Sequence, residues 1–250
     1  MMQMKALSPV ETEAGSGGDG GGLRHELKLV SQEMAYPRVY RLLMNDSIGL
    51  RTLHPERRVQ SVYLDTPECR AFQDNLSGIS HREKVRFRWY GSEVDRVAGR
   101  LECKIRENKY GWKQVKKLTI EREIRGVDRV SFVRKLGEDA GLDWQIRLQG
   151  LQPAQWIAYD RQYLGSADGK LRITLDRGLR VWDQRMRFAL DNRFPTPVPR
   201  MLIMEVKCAA IHYEAAQRLV NRLPMMVGKC SKYVLASEPA EGPEVQLLYT

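Results

Sequence analysis

Residues 84–91, KVRFRWYG, constrain the fold of this chain more than any other stretch. Lys84, Arg86 and Arg88 alternate strictly with apolar residues, and a period of two is the period of a β-strand. One face of such a strand is apolar, and the other carries three cations that repel one another. A single strand of this kind is weak evidence, because a solvent-facing sheet surface is often charged. The interpretation depends on whether other strands repeat the pattern.

The same alternation recurs along the chain, and at least five predicted strands carry Lys or Arg opposite an aliphatic face. Strands are predicted over residues 24–30, 58–66, 82–90, 99–108, 111–124, 156–165, 170–178 and 201–208. Helices are predicted over residues 36–44, 67–75, 127–141 and 211–223. On an open, solvated sheet the two signs of charge should interleave as cross-strand pairs, but here cations outnumber acids. We therefore predict an α+β fold with flanking helices, in which an antiparallel sheet closes into a β-barrel around a wet, basic interior.

The charge of the chain supports a polyanionic partner. Its net charge is +10, from 41 Lys and Arg against 31 Asp and Glu, and residues 81–125 alone hold 14 cations against 7 acids. Nucleic acid, anionic lipid and phosphate chains would all suit this excess. The sequence has no long apolar run, no signal peptide and no CxxC pair, which predicts a cytoplasmic protein without a zinc site. We predict a disordered glycine-rich tail at 1–22, one domain at 23–236 and a C-terminal tail at 237–250.

No P-loop motif is present, so any phosphate must be held by side-chain charge. Arginine suits this task because its planar fork donates two parallel hydrogen bonds. Four acids share the basic strand faces: Glu26, Glu102, Asp176 and Glu205. We predict Glu205 as a metal ligand, although a salt bridge to Lys207 or a nearby arginine explains it at least as well. For Glu26 and Glu102 the structural interpretation is preferred.

Nine short motifs occur in an order that resembles one known family. They are RxExK (24–28), SVYLDT (61–66), KVRFRWYG (84–91), LECK (101–104), GWKQVKK (111–117), YDRQY (159–163), LRITLD (171–176), EVK (205–207) and SKY (231–233). This series is similar to the catalytic domain of the vacuolar transporter chaperone (VTC) polyphosphate polymerases, within the triphosphate tunnel metalloenzyme, or CYTH-like, superfamily. The resemblance runs from about Leu23 to about Leu235.

The resemblance implies a closed, eight-stranded antiparallel barrel whose tunnel binds triphosphate. It implies an enzyme that makes inorganic polyphosphate from ATP with Mn²⁺ or Mg²⁺, releases ADP and starts from a phosphate or pyrophosphate primer. The phosphate-holding residues that it implies are Lys28, Arg86, Arg88, Lys104, Lys116, Arg161 and Lys232, with Glu205 at the metal. Second choices are Lys84, Lys113, Arg172 and Lys207. Between Lys116 and Lys117 the register is open, and Lys116 fits the family spacing better.

The first motif favours one branch of this superfamily. Its triphosphate-hydrolysing members typically begin with ExExK, whereas Arg24 replaces the first glutamate here, which weakens water activation. Two alternatives remain: a tunnel-fold triphosphatase, and a non-catalytic binder of polyphosphate or nucleic acid. Phe87 and Trp89 lie opposite the cations, which counts against base stacking, so no nucleic-acid partner is expected. A membrane partner is not indicated, and the chain resembles a stand-alone catalytic module.

Overall fold

A computed structural model describes residues 24–108, 110–228 and 230–237 of the chain. Within these residues, nine strands form one antiparallel sheet. The strands are β1 (Arg24–Gln32), β2 (Arg51–Asp65), β3 (His81–Tyr90), β4 (Val97–Glu107), β5 (Tyr110–Ile120), β6 (Gln152–Gly165), β7 (Leu171–Asp183), β8 (Met201–Ala209) and β9 (Met226–Val227). Their order across the sheet is β5-β4-β3-β2-β6-β7-β8-β1-β9. The pairing of β1 with β8 and of β2 with β6 brings distant parts of the sequence onto one surface.

Short helices accompany the sheet, and the described residues are mostly β. The helices are α1 (Tyr36–Met44), α2 (Arg70–Ser77), α3 (Arg129–Ala140), α4 (Leu142–Arg147), α5 (Tyr213–Val220) and α6 (Lys232–Ser237). The predictions of α1, α2, α3 and α5 are confirmed, with shifts of a few residues at most bounds. The sequence did not predict α4 or α6. Of the predicted tails, residues 1–22 and 238–250 lie outside the described residues, while Ser237 ends α6.

The predicted fold class, α+β with a closed eight-stranded barrel, is wrong. The structure is a single open sheet of mostly β character: its outermost strands are β5 and β9, and no pairing between them is present in the described residues. The physical reason lies at β1. The edge of β1 that would have to meet β5 is instead paired with β9, through Leu29 with Val227 and Val30 with Met226. Where β1 is paired with β9, its backbone N–H and C=O groups are already hydrogen-bonded and are not free to pair with β5.

One face of the sheet packs against helices and holds most of the core. Phe87 and Trp89 of β3 are fully buried there and join Phe132 of α3 in one apolar cluster. Burial of each such side chain is worth about 1.5–3 kcal/mol. Gly99 of β4 leaves room for the Phe87 ring, since a Cβ at this position would lie 2.5 Å from its Cζ. A second cluster joins Leu29 of β1 and other strand residues to α1 and α5. The apolar half of the sequence alternation thus specifies this face.

The opposite face is concave and carries the charged half of the alternation. Helix α6 lies against it, where Tyr233 packs with Tyr63, Ile157 and Tyr159. Lys104 of β4 interacts electrostatically with Glu26 and Lys28 of β1, so the sheet curves until strands near its two edges face the same space. Among the described helices, none has the length and apolar character needed to cross a membrane.

Candidate functional site

The concave face encloses a cavity of about 160 Å³, which we call the basic cavity. Its lining comes from six strands and from the segment that begins α6. The lining residues are Glu26, Lys28, Tyr63, Lys84, Arg86, Arg88, Glu102, Lys104, Tyr159, Arg161, Glu205, Lys207, Cys230, Ser231 and Lys232. Nine of the twelve predicted site residues are in this set. The lining therefore contains eight cations, seven from the strands and Lys232 from α6, but only three carboxylates.

Strand register explains why these side chains converge. Residues directly opposite each other in an antiparallel pair point to the same face. Lys28 of β1 lies opposite Glu205 of β8, and Arg86 of β3 lies opposite Glu102 of β4. Because side chains alternate along each strand, the neighbours two residues away join the same face.

One side of the cavity, which we call the acid-rich wall, balances its cations. It comprises Glu26, Lys28, Arg161, Asp176, Glu205, Lys207 and Lys232, from β1, β6, β7, β8 and α6. Asp176 lies at its centre and is 2% exposed. Both oxygens of Asp176 accept bonds from Arg161, at 2.6 Å each, and Oδ2 is 2.6 Å from the Lys232 Nζ. Burial favours the neutral acid, but Lys232 and Arg161 outweigh it and lower the pKa of Asp176.

Glu205 and Glu26 extend the acid-rich wall. Glu205 is 3.8 Å from Lys232 and 3.7 Å from Lys207, so the predicted salt bridge to Lys207 is present. Burial raises the pKa of Glu205, yet the surrounding cations, led by Lys232, hold it far below its usual range. Glu26 lies 3.2 Å from Lys28 and 3.5 Å from Lys207. Both carboxylates are therefore ionised and share the cations between them.

The opposite side, which we call the β3–β4 wall, comprises Lys84, Arg86, Arg88, Glu102 and Lys104. Glu102 is its acid: it accepts a 2.8 Å bond from the Arg86 Nε and lies 3.2 Å from the Nζ of Lys113. Burial opposes this charge, but Arg86, Arg88 and Lys113 together lower the pKa of Glu102 to about 2. Arg86 also donates to the Tyr63 hydroxyl at 2.9 Å. One carboxylate on this wall thus holds one arginine in place.

The remaining cations of the β3–β4 wall have no carboxylate within salt-bridge distance among the described residues. Lys84 and Lys104 lie directly opposite each other, an arrangement that repels. Burial, together with the charges of Lys104 and Lys28, lowers the pKa of Lys84 to about 7. Within the described residues, Arg88 donates only to hydroxyls, those of Ser61 and Tyr159, at 3.2 Å each. This wall therefore carries positive charge that the protein itself leaves unbalanced.

Three predicted residues do not line the cavity. Lys116 of β5 lies opposite Leu101, a fully buried core residue, so it belongs to the other face of the sheet. Lys117 lies opposite Arg100 and has the register of the charged face. Lys113 shares that face and reaches the site only through Glu102. Arg172, near the start of β7, lies opposite Lys207 and is exposed.

The cavity also contains residues that the sequence did not single out. Tyr159 lies beneath two cations, with the Lys232 Nζ 4.8 Å and the Arg161 Cζ 5.3 Å from its ring centroid. Ser231 accepts a 2.9 Å bond from Lys84. The signal for Tyr159 was its position two residues before Arg161, on the same face of β6. Ser231 carries no such periodic signal, because it lies outside the strands.

Two carboxylates of the cavity are candidates for part of a divalent-cation site. Among the described residues no group of three or more His, Cys, Asp or Glu side chains could hold a metal ion. Glu26 and Glu205 lie on the paired strands β1 and β8 as diagonal neighbours on the same face, because Glu26 is opposite Lys207, two residues from Glu205. Two ionised carboxylates fit the habit of Mg²⁺, which takes one or two carboxylates and completes its shell with phosphate oxygens and water. The sequence had favoured a structural role for Glu26.

Chemically, the arrangement suits a polyanion with closely spaced charges. Arginine forks present fixed pairs of donors, and lysines supply mobile point charges. Such donors can bind an anion and stabilise charge that develops during transfer of one of its groups.

Comparison with known proteins gives one family match. Residues 23–239 match the family model described as the VTC domain. A comparison of the sequence with curated proteins found no match.

Solved structures with a similar arrangement share little sequence with this chain. A candidate adenylate cyclase from Vibrio parahaemolyticus is 12% identical, with a TM-score of 0.47, over 87% of this chain and all of the other. The PH1819 protein from Pyrococcus horikoshii is 13% identical, with a TM-score of 0.46, over 84% of this chain and 97% of the other. A candidate adenylate cyclase from Bacillus halodurans is 10% identical, with a TM-score of 0.43, over 92% and 97%.

Proposed function

Because this chain belongs to the VTC domain family, we propose that its basic cavity makes inorganic polyphosphate. The protein is then a phosphotransferase that moves the γ-phosphate of ATP onto a growing phosphate chain and releases ADP. A free phosphate or pyrophosphate serves as the first acceptor.

The observation that carries this proposal is the unbalanced charge of the β3–β4 wall. Lys84 and Lys104 repel across neighbouring strands, and Arg88 has only hydroxyl partners among the described residues. An anion beside them would replace repulsion with attraction and would restore the charge of Lys84. A purely structural role would have paired each of these three cations with an acid, as the acid-rich wall does around Asp176.

The size of the cavity favours a phosphate chain over a whole nucleotide. Pockets that enclose a drug-sized ligand usually measure roughly 300–1,000 Å³. The basic cavity is smaller, at about 160 Å³. The phosphates of ATP would therefore enter it while the nucleoside stays outside.

The transfer itself needs positioning and charge stabilisation more than covalent help. A terminal oxygen of the acceptor phosphate forms a bond to the γ-phosphorus of ATP. The bond from that phosphorus to the β–γ bridging oxygen breaks, and ADP leaves with the electron pair. Arg88, which has only hydroxyl partners among the described residues, holds oxygens of the transferred group, and Lys84 and Lys104 add positive charge beside it. Together they stabilise the charge that spreads over these oxygens.

A divalent cation, Mn²⁺ or Mg²⁺, belongs to this proposal. Glu205 and Glu26 would hold it, because both are ionised and are diagonal neighbours on the cavity face. When bound, the cation neutralises charge on the phosphate oxygens. Lys207, which contacts both carboxylates, would keep the two acids oriented.

The experiment is an incubation of the purified protein with ATP and Mn²⁺, with Mg²⁺ in parallel. Products are resolved on a polyphosphate-staining gel while ADP and free phosphate are assayed. Arg88→Ala tests the β3–β4 wall, and Arg38→Ala, an exposed position on α1, is the matched control. We expect a ladder of phosphate chains with matching ADP, lost in Arg88→Ala and kept in Arg38→Ala.

The other outcomes separate the alternative functions. Free phosphate without chains would identify a triphosphatase and would overturn the inference drawn from Arg24, whose side chain lies outside the described part of the structure. Tight binding of added polyphosphate with no ADP would identify a non-catalytic binder. Chains that persist in Arg88→Ala would remove the β3–β4 wall from the reaction.

A further inference from the structure

A second depression lies on the helix-covered side of the sheet, away from the basic cavity. It is a groove of about 520 Å³ between α3, α4 and the loop that follows β7. Its floor is apolar and includes Val133, Leu148 and Leu151. We call it the α3–α4 groove. None of the residues predicted from the sequence to hold phosphate lines it.

The rim of the α3–α4 groove exposes apolar side chains that a folded chain usually covers. Phe188 is 95% exposed and Val130 is 75% exposed, and both line the groove. A concave apolar surface with exposed large side chains marks a site of association.

Arg129, which also lines the groove, has hydrogen-bond donors without an acceptor among the described residues. Its Nη1 donates to the carbonyls of Arg185 and Arg187, at 2.8 and 2.9 Å. Its Nε and Nη2 are shielded from solvent and have no hydrogen-bond partner within the described residues. These two nitrogens form the edge of the guanidinium that a carboxylate bridges with two bonds. Arg134 and Arg187 also line the groove, but they pair with Glu138 and Asp191, and the acids Asp128 and Glu138 line it too. The preference for a carboxylate therefore rests on the free edge of Arg129.

The chain contains a segment of this chemistry beyond α6. Residues 238–250 read EPAEGPEVQLLYT, with three glutamates, no lysine or arginine, and an apolar stretch at 245–249. The segment combines the carboxylates that Arg129 lacks with apolar side chains that match the floor of the groove.

The end of α6 lies within reach of the groove. Ser237 lies near Tyr233, and both Tyr233 and Arg185 lie near Cys69. Arg129 binds the Arg185 carbonyl, so this series of neighbouring residues leads from Ser237 towards the groove. An extended chain spans at most about 3.5 Å per residue, so residues 238–250 could span roughly 45 Å.

We propose that the α3–α4 groove binds residues 238–250 of the same chain. The apolar stretch covers Val130 and Phe188, and a glutamate pairs with Arg129. This proposal does not depend on the function of the basic cavity.

The test uses binding of a peptide and needs no enzymatic activity. A chain that ends at Pro239 keeps α6 and exposes the groove. A fluorescein-labelled peptide of residues 238–250 is titrated against this shortened chain and against the full chain, with anisotropy as the readout. We expect binding to the shortened chain at least tenfold tighter than to the full chain, whose own segment competes.

Two variants and one altered peptide locate the binding. Val130→Glu in the shortened chain places a negative charge in the groove, and a glutamate in the first turn of α3 favours that helix, so folding should persist. It should weaken binding at least tenfold. Ile211→Glu, an equally exposed apolar position elsewhere, should leave binding unchanged. A peptide with its three glutamates replaced by glutamine should bind several-fold more weakly.

Three results would overturn the proposal. They are no saturable binding to the shortened chain, equal binding to both chains, and binding that Val130→Glu does not weaken. A full-length dimer that Val130→Glu dissociates would also overturn it, because the segment would then come from a second copy.

Discussion

The two walls of the basic cavity differ in how many of their cations have a carboxylate partner. On the acid-rich wall, Asp176, Glu205 and Glu26 take up the charge of the neighbouring lysines and of Arg161. On the β3–β4 wall, Glu102 serves Arg86 and Lys113, while Lys84, Arg88 and Lys104 have no carboxylate within salt-bridge distance among the described residues.

This difference separates structural from functional charge. A cation that a buried acid already satisfies stabilises the fold and gains little from a ligand. A cation without an acid costs stability in the empty protein, and a bound anion recovers that cost. Substitutions at Asp176 and its two cations should therefore act mainly on stability. Substitutions of the cations without an acid, Lys84, Arg88 and Lys104, should act mainly on binding and turnover.

The largest effect on stability is expected from Asp176→Asn. This change leaves the buried Arg161 and Lys232 without their carboxylate, and breaking a buried pair costs about 3–5 kcal/mol. Urea denaturation should show this loss. Asp139→Asn, which breaks the surface pair with Lys135, is the control and should change the free energy of unfolding by less than about 0.5 kcal/mol. Equal losses in the two variants would contradict the structural role of the acid-rich wall.

Arg88→Ala should give the opposite profile. Its partners are two hydroxyls, so its removal should change the free energy of unfolding by less than about 1 kcal/mol. If it stabilises the transferred phosphate, turnover should fall about 10²–10³-fold. Turnover of the variant and of the wild type is compared at saturating ATP, and urea titrations of both proteins give the change in the free energy of unfolding. A variant that unfolds readily, or that turns over normally, would place Arg88 among the structural cations.

Lys84 should give the β3–β4 wall a pH signature of moderate size. Burial lowers its pKa from 10.5 to about 7 in the folded protein, so the unfolded chain holds the proton more tightly. The buried Lys84 ammonium therefore lowers the free energy of unfolding by its full amount below pH 7. This loss disappears as the pH rises from 7 towards 10.5. Between pH 7 and 8 the wild type should gain about 1 kcal/mol relative to Lys84→Met.

Urea titrations of both proteins at pH 6, 7 and 8 measure this difference. Added tripolyphosphate should flatten it, because a bound anion keeps Lys84 protonated. Parallel pH profiles for the two proteins would mean that folding does not lower the pKa of Lys84.

The smallest effect is expected from Lys116→Ala. Its side chain lies on the helix side of the sheet, opposite Leu101, so turnover should stay within about twofold of the wild type. Lys113→Ala, three residues earlier on β5 and in the charged register, is the comparison and should lower turnover more by releasing Glu102. A large loss in Lys116→Ala would mean that the register of β5 differs from the one described.

The sequence predicted the strands and most members of the cavity well because both depend on local alternation. The period of two assigns Lys84, Arg86 and Arg88 to one face whatever the partner strands are. It failed at Lys116 because GWKQVKK contains adjacent lysines, and a shift of one residue exchanges the two faces. Only the pairing of β5 with β4, through Leu101 opposite Lys116, decides which lysine faces the cavity.

The sequence by itself determined that the chain would form strands with one apolar and one basic face, since each face depends only on the order of residues along a strand. Tertiary structure alone decided how those faces meet. It gave the free edge of β1 to β9, which left the sheet open, and it brought Lys232 of α6 onto Asp176. Hydrogen bonding between edges and pairing of buried charges join residues far apart in sequence, so no local pattern specifies them.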